Sequence, residues 1–459
     1  MAWQSTSSHV LAAPASLVWE LAGDPRLLPE WHHWFADLLL DHDVPALGGR
    51  GEYVPNSPLR AMHQMVSQPF TVTRLDERVL EIRQLHPGGD HIMRWQIQDH
   101  PDGSELVQTM RISGRLPGPM IRMAGRPSAA DFGLDAARLW GLLSTRPVTR
   151  NRIKAIIAGG SGSLGRRLAA DLLTRGHAVV ILTRQVDPEL PFRQAVWDGQ
   201  TVGPWAAELA DPAACIVNLA GKLVDVRPTK KNIDELRDSR VNATRALVEA
   251  SQQHPVRRWL QSSTTAIWAD SGDTALQEDS PVDATGLPQM TGVADAWERA
   301  VNGARTDHLG ILRTSIVLAP DAPAYTRLAG LARGGIGRIG TGKQWFSWIH
   351  VEDWLAIARS ILGVGPVDLP DGLVVAAAPE PARNADLMKQ LRASLRDTGL
   401  GGRIALATPS AITKLGATAM GTDPALALTG RHATSTVLEQ AGFQFQHPDL
   451  PSALEALAT

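Results

Sequence analysis

Two hydrophobic rhythms divide the chain near residue 150. Before it, from Gly49 to about Ser113, apolar and polar positions alternate through PFTVTRL, RVLEIRQL, HIMRWQIQD and ELVQTMRIS, punctuated by HPGGD and HPDGS. A period of two between turn signals predicts antiparallel strands with one buried face. The flanks follow the helical period instead. Pro14 opens a helix with an apolar stripe at Leu17, Val18 and Leu21, a short helix follows around Leu27 to Trp34, and Phe132, Ala136, Leu139 and Trp140 share one face of a segment from about Ser128 to Leu143. The first 146 residues therefore predict an α+β domain, and the polar stretch STRPVTRNR, residues 144–152, a linker.

Beyond the linker the strands lose their alternation. KAIIA, AVVILTR, AVWDG, CIVNLAG, RRWLQSSTTAIW and GILRTSIVLAP are short apolar runs separated by helical stretches, the mark of strands buried on both faces. Strands alternating with helices in this way predict an α/β fold, a Rossmann-type doubly wound parallel sheet.

The first of these runs ends in glycines spaced Gly159-x-x-Gly162-x-x-Gly165 and leads into a helix carrying Leu168, Leu172 and Leu173. Such a turn lets the backbone approach a pyrophosphate while the helix N-terminus offers it free N–H groups. Gly159, Gly162, Ser163, Leu164 and Gly165 are thus candidate cofactor contacts, against the simpler reading of a tight structural turn. Where an NAD-binding fold carries an acid for the ribose hydroxyls, the second strand ends in Thr183 and Arg184. Arg184, helped by Arg166, favours the 2′-phosphate of NADP; a solvated arginine at a strand end is the other reading. Asp198, after the third strand, is placed to bond the adenine amine, and the turn Leu219, Ala220, Gly221 after the fourth to approach the nicotinamide.

Composition narrows the partners. With 45 basic against 47 acidic residues and no basic block, nucleic acid is not expected, and a small-molecule substrate is. The single cysteine, Cys215, sits in an apolar run, excludes an intramolecular disulfide and reads as a buried strand residue. The apolar LAAPASLVWELA near the N-terminus lacks a basic leader and no stretch reaches membrane-spanning length, so a cytoplasmic protein is expected.

The order strand, two short helices, meander, long helix, with Pro14, Trp19, Pro29 and Trp31, resembles the START-like or polyketide-cyclase-like (SRPBCC) helix-grip superfamily. That resemblance implies a curved sheet around an apolar cavity, with Met93, Trp95, Met110 and Trp140 as lining or simply as core. His32 and His33, with no partner at ligand spacing, are expected at the surface or rim. Residues 153–459, through GGSGSLG, NLAG, LQSSTTAIW, LRTSIVLAP, GTGKQWFSWIHVEDW, AAPEP and AGFQFQHPDL, resemble the atypical extended short-chain dehydrogenase/reductases of the nucleoside-diphosphate-sugar epimerase-like (SulA-type) family. The resemblance implies NADP binding, with NAD the lesser candidate, a dinucleotide domain over 153–403 and a small C-terminal domain over 404–459.

In ordinary members of that superfamily a Ser or Thr polarises the reacting oxygen, and a Tyr exchanges its proton beside a Lys four residues on. Thr264 falls at the Ser/Thr position, but Met290 and Ala294 stand where Tyr and Lys are expected, and Tyr53 and Tyr325 lack a lysine at that spacing. Lys222, Asp225 and His350 are candidate substitutes for the proton donor, each also readable as a solvated or hydrogen-bonded strand-end residue. Gly335, Gly337 and Gly340 imitate the dinucleotide motif, but Trp345, Phe346 and Trp348 follow where a helix belongs, predicting a hairpin. There Lys343, Gln344, Trp348 and His350 are candidate substrate contacts, and Asp353 a cap or anchor for the next helix. Two functions remain open: an NADP-dependent oxidoreductase or epimerase-like enzyme with an unusual proton donor, acting on a small polar or nucleotide-linked substrate, and a catalytically inactive NADP(H)-responsive regulator with an apolar ligand in its N-terminal domain. A third is that the N-terminal domain presents an apolar substrate to the second.

Overall fold

The computed structural model describes residues 2–56, 68–86, 89–114, 125–126, 128–143, 149, 151–224, 226–282, 286–395, 406–408 and 423–458. Alternation in the first third produces a seven-stranded antiparallel sheet: β1 (Ala2–Leu11), β2 (Phe35–Leu40), β3 (Arg50–Pro55), β4 (Gln68–Asp76), β5 (Val79–His86), β6 (Gly89–His100) and β7 (Gly103–Gly114), in the order β1-β7-β6-β5-β4-β3-β2. β2 is an element that the sequence pattern did not announce. Helices α1 (Ala15–Ala22) and α2 (Leu28–Trp31) follow β1, and α3 (Phe132–Leu142) contributes Phe132, Leu139 and Trp140 to the cluster formed by the sheet's inner face. Met93, Trp95 and Met110, candidates for a cavity wall, have no exposed surface and pack in that cluster.

His32 departs from expectation. It is buried rather than at the rim, and its Nε2 lies 2.7 Å from Gln108 Oε1. His33, half-buried, sits with its Nδ1 2.7 Å from Asp135 of α3 and donates its backbone N–H to the same carboxylate at 2.9 Å. The partner comes from 102 residues along the chain, so no local spacing reveals it. Burial pushes the His32 ring down to about 4, ahead of the opposing pull of Asp135.

The second sheet contains seven parallel strands. Its elements are β8 (Lys154–Ala158), β9 (Ala178–Thr183), β10 (Arg193–Val196), β11 (Ala214–Asn218), β12 (Arg258–Thr264), β14 (Leu309–Thr314) and β19 (Gly372–Ala376), ordered β10-β9-β8-β11-β12-β14-β19. The short strands β13 (Ala275–Leu276), β15 (Ile316–Leu318), β16 (Ile336–Ile339), β17 (Trp345–Phe346) and β18 (Trp348–His350) lie outside it. Its helices include α4 (Ser163–Thr174), α5 (Lys230–Gln253), α6 (Val293–Arg299), α7 (Pro323–Arg333) and α8 (Val351–Ile361). The strand order reverses between β8 and β11, the switch point where a doubly wound sheet opens a crevice at its carboxyl edge. No described helix is long and apolar enough to cross a membrane.

Helix α4 joins the two sheets. Leu134 and Ala137 of α3 share an apolar cluster with Leu168, Ala169, Ala170 and Leu172 of α4, and Ala12 N–H donates to Thr174 O at 2.8 Å. Beneath this seam Asp171 accepts from Arg359 Nη1 at 2.5 Å and Arg175 Nε at 3.0 Å. Residues 423–458 pack back into the second half: Ala433 joins an apolar cluster with Val375 and Trp268, Leu438 and Phe443 one that contains Trp354, and Leu450 and Leu454 one that contains Trp348.

Burial alone would raise Asp171, but Arg359 and Arg175 outweigh it and hold the carboxyl at about 2. Because that lies below the unfolded value of about 4, its contribution is full above pH 4 and fades as pH falls toward 2. Asp171→Ala leaves Arg359 without its carboxylate, while Arg175 keeps Asp102, and is expected to cost about 3–5 kcal/mol in urea denaturation at pH 7, a difference that narrows in the acid range.

Candidate active site

At the end of β8 the backbone turns left-handed at Gly159, φ 80°. A Cβ there would lie 2.7 Å from Leu219 O, and one on Gly165 only 2.4 Å from Gly159 O. Gly160 is equally constrained, its Cβ position falling 2.7 Å from Ile181 Cγ2. These contacts bring the first turn of α4 and the turn after β11 against the end of β8. Gly162, the N-cap, has φ −75° and ψ 168°, and no side chain caps the helix. The first N–H groups of α4 thus have no intrahelical partner and carry the positive end of the helix dipole toward the crevice.

Ser163 turns its hydroxyl to Asp321, donating to Oδ2 at 2.8 Å, while Arg167 Nη2 donates to Oδ1 at 2.6 Å. Leu164 is half-buried against the core. Arg166 lines a small cleft against Asp131, Gly133 and Leu134 of the N-terminal domain. Arg184, one residue beyond β9, is exposed. Asp198 lies two residues beyond β10, and its carboxylate accepts from Gln200 N–H at 2.8 Å, Thr201 N–H at 2.9 Å and Thr201 Oγ1 at 2.6 Å, closing its own turn.

The Leu219–Ala220–Gly221 turn is fixed from below. Asn218 is buried, donates to Thr244 Oγ1 at 2.9 Å and Gln261 Oε1 at 3.0 Å, and accepts from Ala220 N–H at 3.2 Å. Behind the turn lies Arg240, which sequence reasoning did not single out. Its guanidinium donates to Leu236 O and Lys222 O at 3.0 Å each, stands 5.0 Å over Trp297, and comes within 2.9 Å of a Cβ placed on Gly221. Burial lowers it to about 10. Lys222 itself sends its ammonium outward to Glu235 of α5. Asp225 lies outside the described residues.

Thr264 ends β12 and accepts from Ala266 N–H at 3.1 Å through Oγ1, leaving its hydroxyl proton free for another acceptor. On the opposite face of the strand Ser263 donates to Glu298 at 2.6 Å, and Arg313 grips the same carboxylate through two bonds of 2.9 Å. Met290 occupies a π-helical turn, Pro288–Gly292, ahead of α6, and Ala294 packs against Ile267 and Trp268. The Tyr and Lys positions are therefore apolar and buried. Tyr53 belongs to the N-terminal core and Tyr325 to α7.

His350 caps α8, its Nδ1 accepting from Glu352 N–H at 3.4 Å, with its ring 3.9 Å from that of His447. Burial and then the neighbouring His447 push it down to about 4. Asp353 anchors the C-terminal segment, accepting from the N–H groups of Gln446 at 2.7 Å and His447 at 3.1 Å. After Gly335, Gly337 and Gly340 no helix begins; β17 pairs antiparallel with Ala382–Arg383. Lys343 is exposed there, and Gln344 ties Ile339 O to Ala427 O at 2.9 and 3.0 Å. Trp348 corrects an expectation: it has no exposed surface and donates to Glu380 O at 3.1 Å, a core residue rather than a substrate contact. The other residue not anticipated is Arg431, in the C-terminal segment against Met290 and Trp268. Lying singly between Gly430 and His432, it offers no sequence signal.

Three family profiles cover most of the chain. Residues 2–139 match polyketide cyclase/dehydrase and lipid transport, residues 155–363 the NAD dependent epimerase/dehydratase family, and residues 408–457 a domain of unknown function, DUF1731. An epimerase family protein of Mycobacterium leprae is 29% identical over 66% of this chain and 95% of its own. The crystal structure of human epimerase family protein SDR39U1 (isoform2) with NADPH is 26% identical, with a TM-score of 0.57, over 67% of this chain and 99% of its own. A nucleoside-diphosphate sugar epimerase from Corynebacterium glutamicum, 22% identical, shares the fold over 99% of this chain and 90% of its own, with a TM-score of 0.60.

The glycines separate by substitution. Gly165→Ala, its Cβ 2.4 Å from a backbone oxygen, is expected to lose about 1–3 kcal/mol of stability in thermal unfolding. Gly162→Ala, whose Cβ meets only Gly159 O at 3.3 Å, is expected to change stability by less than about 1 kcal/mol.

Proposed function

The chain belongs to the epimerase family, with a polyketide-cyclase-like domain ahead of the dinucleotide fold and DUF1731 behind it, and from that premise we propose that it is a cytoplasmic NADP-dependent oxidoreductase or epimerase-like enzyme acting on a small polar or nucleotide-linked substrate. The observation that carries this reading is the uncapped N-terminus of α4, held against the Gly159 turn where a Cβ would fill the cradle. An anionic pyrophosphate fits that place, because free N–H groups and the helix dipole both favour it. Exposed Arg184 and the lack of an acid at the end of β9 suit a 2′-phosphate, and the human relative was crystallised with NADPH. When bound, the nicotinamide supplies or takes a hydride.

The protein's own contribution is smaller than in enzymes with the Tyr–Lys pair. Thr264 presents a hydroxyl proton to a substrate oxygen, Asn218 and Arg240 hold the turn after β11 in position, and Met290 and Ala294 exchange no proton. Losing a positioned acid or base lowers rates by about a hundred- to ten-thousand-fold, so slow turnover is consistent with this site. The same apolar pair, with α3 of the N-terminal domain packed on α4, supports the second reading, an NADP(H)-responsive regulator. Turnover of any substrate by the wild type, abolished in Thr264→Ala, favours the enzyme.

Cofactor choice is read by titrating NADPH and NADH while following nicotinamide fluorescence. Arg184→Ala is expected to weaken NADPH by about ten- to a hundredfold, the worth of a charge-assisted phosphate contact, and to leave NADH nearly unchanged. If neither nucleotide binds the wild type, both readings fail.

A further inference from the structure

Two histidines and a glutamate to which the chemistry above gives no part meet where the C-terminal segment returns to α8. His350 ends β18 and caps α8, Glu352 lies in the first turn of that helix, and His447 reaches Glu352 from 95 residues along the chain. His447 Nε2 stands 2.9 Å from Glu352 Oε2, His350 Nδ1 stands 3.8 Å from the same oxygen, and the two imidazole rings are 3.9 Å apart. One ligand atom from each residue thus falls within 4.8 Å of the other two. A tetrahedral zinc ion with bonds of about 2.0–2.1 Å sets its ligand atoms about 3.3–3.4 Å apart. The two separations at Glu352 lie on either side of that value, so small side-chain rotations complete the geometry.

The surroundings orient these ligands and leave them available. Asp353 accepts from the N–H groups of Gln446 and His447, which fixes the backbone that carries the incoming imidazole. His350 Nδ1 accepts from Glu352 N–H at 3.4 Å, long for a hydrogen bond, so its lone pair is lightly held. Between His447 and Glu352 a single proton occupies the place that a dication would take. The two histidine side chains are 4% and 15% exposed but Glu352 is 49% exposed, which gives an ion a way in and lets water complete its shell. Arg167, the cation whose charge reaches His350 and Glu352, is matched by Asp321 at 2.6 Å. The other group of this kind, His32, His33 and Asp135, is already spent. Its carboxylate is taken by Arg138 and the His33 N–H, and His32 Nδ1 accepts from Trp34 N–H at 3.2 Å.

We propose that His350, Glu352 and His447 form a zinc site that clasps the C-terminal segment to α8. The donor set selects the metal: two imidazoles and a carboxylate suit zinc, whereas magnesium takes an octahedron of oxygens. Zinc displaces the proton between His447 and Glu352, bonds one nitrogen of each histidine and one carboxylate oxygen, and holds a water in its fourth position. The site is independent of the oxidoreductase reading and of NADP.

The test uses the full chain, free of any affinity tag and stripped with a chelator, titrated calorimetrically with zinc chloride and with magnesium chloride. Wild type is expected to take up one zinc and to ignore magnesium, and its Tm to rise by a few degrees with zinc, because an ion that binds only the folded state stabilises it. His447→Gln is expected to weaken zinc by about a hundredfold or more, beyond what loss of an outer-shell partner costs, and Glu352→Gln by about tenfold or more. His42→Gln, at an exposed position away from the cluster, is expected to bind zinc as the wild type does. Should His447→Gln fail to fold, the half-exposed Glu352→Gln decides. Unchanged zinc binding in both cluster variants, equal uptake of magnesium, or no zinc uptake by the wild type overturns the proposal.

Discussion

Asp171 carries its charge inside the protein, and the position of helix α4 depends on that charge being matched. Two arginines reach it, Arg359 from α8 and Arg175 from the C-cap of its own helix, and Arg175 extends to Asp102 in the turn between β6 and β7 at 3.3 Å. The result is a polar rivet beneath an apolar seam. A buried ion pair of this kind contributes little by itself relative to apolar packing, but it tolerates few alternative registers. Here the register it sets is that of the helix whose N-terminus faces the crevice, so the cradle at Gly159 and the docking of α3 share one mechanical support.

The chemical end of the crevice is built with a different balance. Below it Asn218 donates to both Thr244 and Gln261, Thr244 donates to Arg240 O, and Glu298 is shared by Ser263 and Arg313. Above it, the tyrosine and lysine positions are apolar, and Arg431 of the C-terminal segment touches the first of them, Met290. A scaffold tied by buried hydrogen bonds thus supports a face with few groups able to move a proton.

Much of this was legible in the order of residues. The change from period-two alternation to unbroken apolar runs marks the two sheets, because one is buried on a single face and the other on both. The glycine turn was readable from its spacing: Gly165 answers to Gly159 O six residues back, and Gly159 adopts a left-handed φ of 80°, whereas the Leu219 carbonyl that also crowds Gly159 comes from sixty residues on. What escaped depends on distance. Asp135 is invisible from His32 and His33, β2 and β19 carry no strong pattern of their own, and Trp348 reads as a site residue until the core around Tyr325 and Met388 is assembled. Arg240 and Arg431 escaped because each is defined by what it lacks, a carboxylate, and a sequence records only what is present.

The return of residues 433–454 into three separate apolar clusters has a consequence for the order of events during synthesis. The N-terminal sheet closes on itself within its first 142 residues and is free to fold while the rest is still being made. The parallel sheet is not: its helices α7 and α8 and its edge near β19 expose apolar surface until Ala433, Phe443 and Leu454 leave the ribosome. For about two-thirds of its production the chain is a finished domain tethered to an unfinished one. The early domain presents α3 as a ready platform for α4, so that the first βαβ unit has a surface to condense on before its own sheet is complete.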